Sequence, residues 1–417
     1  MLNYSILYAL LFGYFLFFGF GLIKGKTWKD MLYFSFLGIR TVKNILIIFT
    51  LIGIITAAWR VCGTIAFIVY YASLVALPQI MVLMCFLLCC FVSFLMGTAF
   101  GSAATIGVIC MTLANSMNIP VIYSGGAILS GIFFGDRCSP MSSGANLICE
   151  LTGTNIFKNI KTMIKTALVP FILTATLYLI IGFAVNPGQK NGMTFSIFCD
   201  YYNLSFFTVI PAAIILVFSA LKINVKLILG TSSIAGLLCA LFLQRIGSAE
   251  LVRIMLLGFK PENAELAKLM AGGGIVSMIR VSAIICISSS YSGMFKGTHF
   301  LFGIQTFVRR MSGRITVFGS ILLTSVFASM IACNQTLAIM LTHQACDAII
   351  DDKELFASYL EDTAVVVAPL IPWSIAVTVP LTSIGAPLAA VLTGWYLYFI
   401  PLWHIVGLAL SRKRRKQ

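Results

Sequence analysis

Charge is what this sequence has least of. Only 10% of its 417 residues are charged and 13 are acidic, against roughly a quarter charged in an ordinary soluble domain. That is too little to coat a water-facing surface, so a soluble globular fold is excluded. The chain also has no GxxxxGK[ST] phosphate loop, no HExxH zinc pair, no GxSxG elbow and no CxxC pair. An ATP-driven pump, a zinc hydrolase and a disulfide or zinc framework therefore have no support, and no cofactor is expected. Alternating segments of the kind that build a transmembrane β-barrel are absent as well.

What is present is apolar sequence, 60% of the chain. Runs at 4–23, 66–95, 167–185, 206–221, 227–243, 315–333 and 388–410 approach the length that crosses a hydrocarbon core. The expected fold is an all-α integral membrane protein, 1–417 in one polytopic domain, with about 10–12 helical elements. The first run lacks a basic n-region and reads as an uncleaved span with its N-terminus outside. The twelve cysteines lie mostly in apolar segments, as small hydrophobes do.

The net charge of +15 does not indicate nucleic acid, because the cations flank the spans. Lys24, Lys26, Lys29, Arg40 and Lys43 follow the first, Lys158, Lys161 and Lys165 form a middle cluster, Arg309, Arg310 and Arg314 another, and Arg412–Lys416 the tail. The positive-inside bias places these clusters in the cytoplasm and the protein in a cell membrane, against lipid headgroups. The acidic stretch 347–354 and the mixed stretch 246–268 are expected outside. The segment 152–166 reads as a separate interfacial helix, and His299, His343 and His404 fall at span ends.

These placements collide in parity, since two full crossings after 347–354 would put the tail outside. The stretch 364–386, with Pro369, Pro372, Pro380, Gly385 and Pro387 nearby, is therefore expected to be broken or re-entrant. The first half has a matching interruption. The hydroxyl-rich MGTAFGSAATIG (96–107) precedes SGGAILSGIFFGD (124–136) and DRCSPMSSGAN (136–146), as ASMIACNQTLAIM (328–340) precedes EDTAVVVAPLIPWS (361–374). The expectation is two repeat halves, about 44–187 and 272–387, with broken helices near the midplane.

Ionisable residues inside such breaks are the strongest functional pointers, because burying a charge costs several kcal/mol. Asp136 and Asp362, with Glu361 beside the latter, are expected to bind a cation or carry a proton, Asp362 being the inward member of its pair. A hard cation needs oxygen ligands, supplied by Thr98, Ser102, Thr105, Ser139, Asn146, Asn334, Gln335 and Thr363. Arg137, Arg280 and Arg60 could compensate charge or hold an anion.

At these residues the sequence resembles the NhaC family of sodium/proton antiporters. The resemblance runs through LIGIITAAWRVCGTIAFIVYYASLV (51–75), MGTAFGSAATIG, GAILSGIFFGDRCSPMSSGANL (126–147), GGGIVSM (272–278) and LEDTAVVVAPLIPW (360–373). It implies exchange of sodium for protons, or of a carboxylate substrate with such ions. Asp136, Ser139, Asn146, Glu361 and Asp362 match the family pattern, whereas Ser143 and Asn334 stand where that pattern has acidic residues. Two threonines give way to Gly144 and Ala145, and polar residues to Ala99 and Ala103.

The leading expectation is thus a sodium/proton antiporter-like carrier working by alternating access. A carrier for a small organic anion or amino acid is the alternative, and a non-transporting membrane scaffold the remote one. Expected partners are Na+ and H+ or a small organic substrate, and membrane lipid; a homodimer is left open.

Overall fold

The computed structural model describes residues 6–75, 77–185, 198–221, 223–298 and 315–414. They are helical throughout, with no strand among the described residues beyond one isolated bridge between Phe259 and Gly272. Six helices are long and apolar enough to cross a membrane: Lys43–Val61, Pro78–Met96, Ala99–Ser116, Ile156–Val185, Val225–Phe242 and Ile275–Phe295. A seventh is the pair Lys353–Leu370 and Ile375–Ile384, bent by 55°. Phe12, Phe183 and Phe242 are among many large apolar side chains on the outside, the surface expected to face lipid.

The 30-residue Ile156–Val185 helix, about 45 Å long, serves as a ruler for the bundle. Near its start, Lys158 pairs with Glu354. Near its end, Gly182 packs directly on the Gln79 carbonyl. Gln79 and Glu354 therefore mark opposite ends of the bundle.

A hairpin enters from each end. From the Gln79 end, Met81–Met96 runs to Gly97, which is left-handed at φ 63°, and then to the extended Thr98. The chain returns through Ala99–Ser102, a π-helical turn over Ala103–Gly107 and Val108–Ser116. Its arms are antiparallel, with the Cys85 thiol on the Cys110 carbonyl at 3.8 Å. From the Glu354 end, Val317–Ala332 runs to the left-handed Cys333 (φ 54°) and the extended Asn334, and returns as Gln335–Cys346. Cys346 lies back beside Thr324.

Each hairpin is followed by a broken helix. Val121–Cys138 leaves helical geometry at Ser139, restarts as Ser143–Thr152 and ends on left-handed Gly153. Lys353–Asp362 is interrupted at Thr363, leaves helical geometry again at Ile371, restarts as Ile375–Ile384 and ends on left-handed Gly385. Pro140 and Pro372 sit two residues before the serines that cap the restarts; proline disfavours helix in the residue before it. The Ser142 hydroxyl accepts from the Gly144 and Ala145 amides, and the Ser374 hydroxyl from the Ala376 amide, which satisfies orphan donors. The correspondence aligns Ser142 with Ser374, so Asp136 and Asp362 are not equivalent positions.

Tips and breaks touch in the same way twice. A Cβ on Gly97 would lie 2.5 Å from the Met141 backbone, and the Ile375 amide donates to the Cys333 carbonyl at 2.9 Å. The far arms then cross over: Ile384 packs on Gly107 of the first hairpin, and Ile339 of the second hairpin packs at Gly144.

Three expectations are corrected. The Lys158 pair with Glu354 puts the acidic stretch 347–354 at the same end as the lysine cluster, not the opposite one. Because 317–346 is a hairpin rather than a span, the parity conflict disappears: Lys353–Ile384 crosses with a bend, and Trp395–Arg414 returns. The segment 152–166 is not a separate interfacial helix either, since Ile156–Val185 is continuous and buries Ile160 and Met163. The expectations on His299, Arg309, Arg310, Arg314, Arg415 and Lys416 lie outside the described residues.

Small residues set the interhelical spacing. Gly135 packs against the Ser93 and Phe94 backbone so closely that no Cβ fits, and the Ser93 hydroxyl donates to the Ile132 carbonyl at 2.5 Å. Gly135→Ala is expected to lower stability by about 1–3 kcal/mol through overpacking, read as a fall in melting temperature in detergent. The Lys158 pair with Glu354 is more than half exposed on both sides. Lys158→Ala should therefore change stability by about 1 kcal/mol or less in the same measurement.

Candidate functional site

Asp136 occupies the last turn of its helix, just before the break, and is 5% exposed. Around its carboxylate stand the Ala99 amide, the Gln335 side chain and the Ser142 hydroxyl. Ala99 and Gln335 are the first residues of the two hairpin return arms. Asp136 therefore lies where both tips and the first break converge, facing two helix N-termini, which favour negative charge.

The neighbouring Arg137 turns the other way. It is fully buried and forms an ion pair with Asp362, 225 residues later, rather than with the adjacent Asp136. Its guanidinium also donates to the Thr166 hydroxyl at 2.7 Å, the Met163 carbonyl at 3.1 Å and the Tyr396 hydroxyl at 3.4 Å. The second Asp362 oxygen lies 2.8 Å from His404 Nδ1. Phe318 stacks on that imidazole with ring centroids 4.3 Å apart, and Tyr359 meets it edge-on. A cavity of about 190 Å³ reaches this pair between Thr166, Trp403 and Gly407.

Glu361 is the exception in this network. It is 1% exposed, and among the described residues neither carboxylate oxygen has a hydrogen-bond partner. The charges acting on it are those of Arg137, Asp362 and Asp136. Of the pair read from the sequence, Asp362 is the one already engaged, and Glu361 is the buried carboxylate left open. Asp136, Glu361 and Asp362 are three buried carboxylates against one buried guanidinium, so with His404 neutral the fully ionised group carries an excess of two negative charges. Such an excess is tolerable in a low-dielectric interior only when balanced by protons or a cation.

The hydroxyls and amides divide into groups. Gln335 reaches Asp136, and its amide also donates to the Val365 carbonyl at 3.2 Å. Ser139 and Asn146 belong to the first break, where Ser139 accepts from the Met141 amide and Asn146 donates to the Pro140 and Ser142 carbonyls. Thr98 and Asn334 form the hairpin tips. Ser102 and Thr105 donate to the Thr98 and Gly101 carbonyls of their own arm, and Thr363 to the Tyr359 carbonyl at the second interruption. Their lone pairs remain available to a hard cation. Among the described residues there is no group of three or more His, Cys, Asp or Glu side chains that could hold a metal. A cation here must therefore recruit hydroxyl, amide or backbone oxygens.

Arg60 and Arg280 are not part of this cluster. Arg60 is buried at the end of Lys43–Val61 and reaches only the Leu269 carbonyl, at 3.5 Å. Arg280 borders a separate cavity. His404 was missed as a site residue because its sequence position, late in an apolar run, is that of an interfacial side chain. The two positions that are acidic in the resembled family differ in their surroundings. Ser143 is exposed on the far arm. Asn334 caps the second tip, its side-chain oxygen accepting from the Leu337 amide at 2.8 Å and its amide donating to the Ala332 carbonyl.

Opposed hairpins and broken helices that enclose under-compensated carboxylates define an ion-coupled membrane carrier. The sequence agrees: residues 131–411 match the Na+/H+ antiporter family, and the chain belongs to that family as a divergent NhaC-type member. It is 26% identical to an uncharacterized Na(+)/H(+) antiporter of Haemophilus influenzae, over 88% of this chain and 80% of that protein. It is 24% identical to the Na(+)/H(+) antiporter NhaC of Alkalihalophilus pseudofirmus, over 93% and 86%. It is also 24% identical to a malate-2H(+)/Na(+)-lactate antiporter of Bacillus subtilis, over 89% and 82%.

Proposed function

We propose that this chain exchanges Na+ for H+ at Asp136 and Glu361, with the two ions competing for the same buried negative charge. The observation that carries this reading is Glu361, a buried carboxylate with neither oxygen partnered beside a second buried carboxylate at the hairpin tips. Sodium bound there would draw on the carboxylates, Gln335 and the hydroxyl and carbonyl oxygens of the tips and breaks. Its departure would leave protons to neutralise the site. Arg137, held by Asp362, sets the background positive charge without occupying the cation position.

The twice-repeated order of hairpin, tip and broken helix supports two repeat halves, about 44–187 and 272–387, related by inversion. Each half would close the path from one end of the bundle, which is the requirement for alternating access. The basic clusters at the Glu354 end support placing that end in the cytoplasm of a cell whose plasma membrane holds the protein.

The test is sodium-driven dissipation of an imposed pH gradient in proteoliposomes. Wild-type protein should respond to Na+ and not to choline. Asp136→Asn should reduce the rate about a hundredfold or more, the kinetic equivalent of about 3 kcal/mol lost from a buried charge pair. A wild-type chain unresponsive to Na+ at every pH, or an unaffected Asp136→Asn, would refute the reading.

A further inference from the structure

The end of Lys43–Val61 buries a charge that the cation cluster does not use. Arg60, in the last turn of that helix, is 7% exposed. Its only hydrogen bond among the described residues, to the Leu269 carbonyl, is long at 3.5 Å, and its Nε has no partner. All thirteen acidic residues are described, and none of their side chains pairs with Arg60. The hydroxyl of Tyr202, on which the Arg60 charge acts, is buried without a partner as well. The Tyr202 ring packs against Gly63, and the Gln244 side chain ties the Cys62 carbonyl to the Asn203 backbone, so the tyrosine is fixed at this helix end.

The opposite wall is glycine. Gly272, Gly273 and Gly274 all have positive φ, and Gly273 packs so closely on the Thr56 and Ala57 backbone that no Cβ fits. The guanidinium lies against Gly272, with Nε and Nη2 each 3.8 Å from where a Cβ would stand. Gly272 therefore offers the arginine backbone and no side chain. Around the same helix end, Val61, Leu251 and Ile254 belong to an apolar cluster. Ala264–Met270, which supplies the Leu269 carbonyl, packs on Val108–Ser116, the arm that returns to the Gln79 end of the bundle. A guanidinium in apolar surroundings is costly unless a counter-charge meets it, and two buried donors without acceptors call for a group that accepts from both. One positive charge balances a monovalent anion. The apolar cluster disfavours a divalent, strongly hydrated one such as sulfate.

We propose that Arg60 and Tyr202 form a chloride site at the Gln79 end of the bundle, the anion accepting from Nε of the arginine and from the tyrosine hydroxyl. Bound there, chloride would tie the end of Lys43–Val61 to the Tyr202 segment and to the glycine turn that leads into Ile279–Gly297. The site shares no residue with the cation cluster and does not depend on the Na+/H+ reading. Its role is to stabilise this end of the bundle.

The experiment follows the melting temperature of full-length protein in nanodiscs of zwitterionic lipid, exchanging methanesulfonate for chloride at constant sodium and ionic strength. The wild type should melt higher as chloride rises and then saturate, as mass action requires of a defined site. Bromide should replace chloride, and sulfate should not. Tyr202→Phe keeps the ring and removes one donor, so the half-saturating chloride concentration should rise about tenfold. Arg60→Gln should lose the chloride response and, in methanesulfonate, melt no lower than the wild type, because it removes a buried charge without a partner. A wild type indifferent to chloride, or a chloride response retained in Arg60→Gln, would overturn the proposal. An equal response to sulfate would do the same. If Arg60→Gln fails to fold, Tyr202→Phe decides, and an unchanged half-saturation there would overturn the site. Sodium-driven pH dissipation in methanesulfonate, measured in parallel, tests the cation reading separately.

Discussion

Glu361→Gln is expected to silence exchange while leaving the chain at least as stable as the wild type. The side chain is buried without a hydrogen-bond partner on either oxygen, so the substitution removes no contact that supports the fold. It removes only the capacity to carry charge. Sodium should stabilise the wild-type protein by mass action, about 2.7 kcal/mol at a hundred times its Kd, and the variant should lose that increment. The readouts are melting temperature with and without NaCl against choline chloride, and sodium-driven pH dissipation. A variant that still melts higher in sodium and still exchanges would remove Glu361 from the cation site. A variant that simply unfolds would show that the carboxylate has a structural partner absent from this conformation.

Arg137→Met should have the opposite signature. Arg137 is fully buried and joins the helix ending at Cys138 to Asp362, with further bonds to Thr166, Met163 and Tyr396. Its removal leaves Asp362 with only the His404 imidazole beside its charge inside the bundle, and breaking a buried pair by removing one partner costs about 3–5 kcal/mol. The folded fraction in detergent should fall sharply with or without sodium. Because the cost comes from the abandoned charge rather than from lost attraction, Arg137→Met combined with Asp362→Asn should recover much of the stability. Denaturant titration of the single and double variants tests this, and equal loss in both would refute the charge argument. A single variant as stable as wild type would refute the pairing itself.

The breaks in the helices were more legible in the sequence than the path of the chain between them. Proline marked the breaks, because its backbone limits are local: Pro140 and Pro372 precede the restarts. Acidic residues in apolar sequence pointed to Asp136 and Asp362, with Glu361 only as the neighbour of the latter, for a reason equally local, the cost of burial; which of the adjacent pair is left unpartnered is a tertiary fact. The hairpins were not legible. An apolar stretch such as 315–333 has the same composition whether it crosses the bilayer or ends halfway. The decisive turn at Cys333 uses a non-glycine residue at φ 54°, which carries no sequence signal. The pairing of Arg137 with Asp362 and the approach of His404 to Asp362 are tertiary facts, made by residues 225 and 42 positions apart that no local spacing connects. The sidedness of 347–354 failed for the same reason, because only Lys158 meeting Glu354 reveals which end it occupies.

The ion pair of Arg137 with Asp362 also constrains how the machine moves. It ties the first broken helix to the second, deep in the protein. Separating it on every turnover would add several kcal/mol to the barrier, and each 1.36 kcal/mol slows a step tenfold. Those two helices are therefore expected to travel as one rigid body. The sliding surface of a transport cycle is then expected elsewhere, along the hairpin arms or against the surrounding helices.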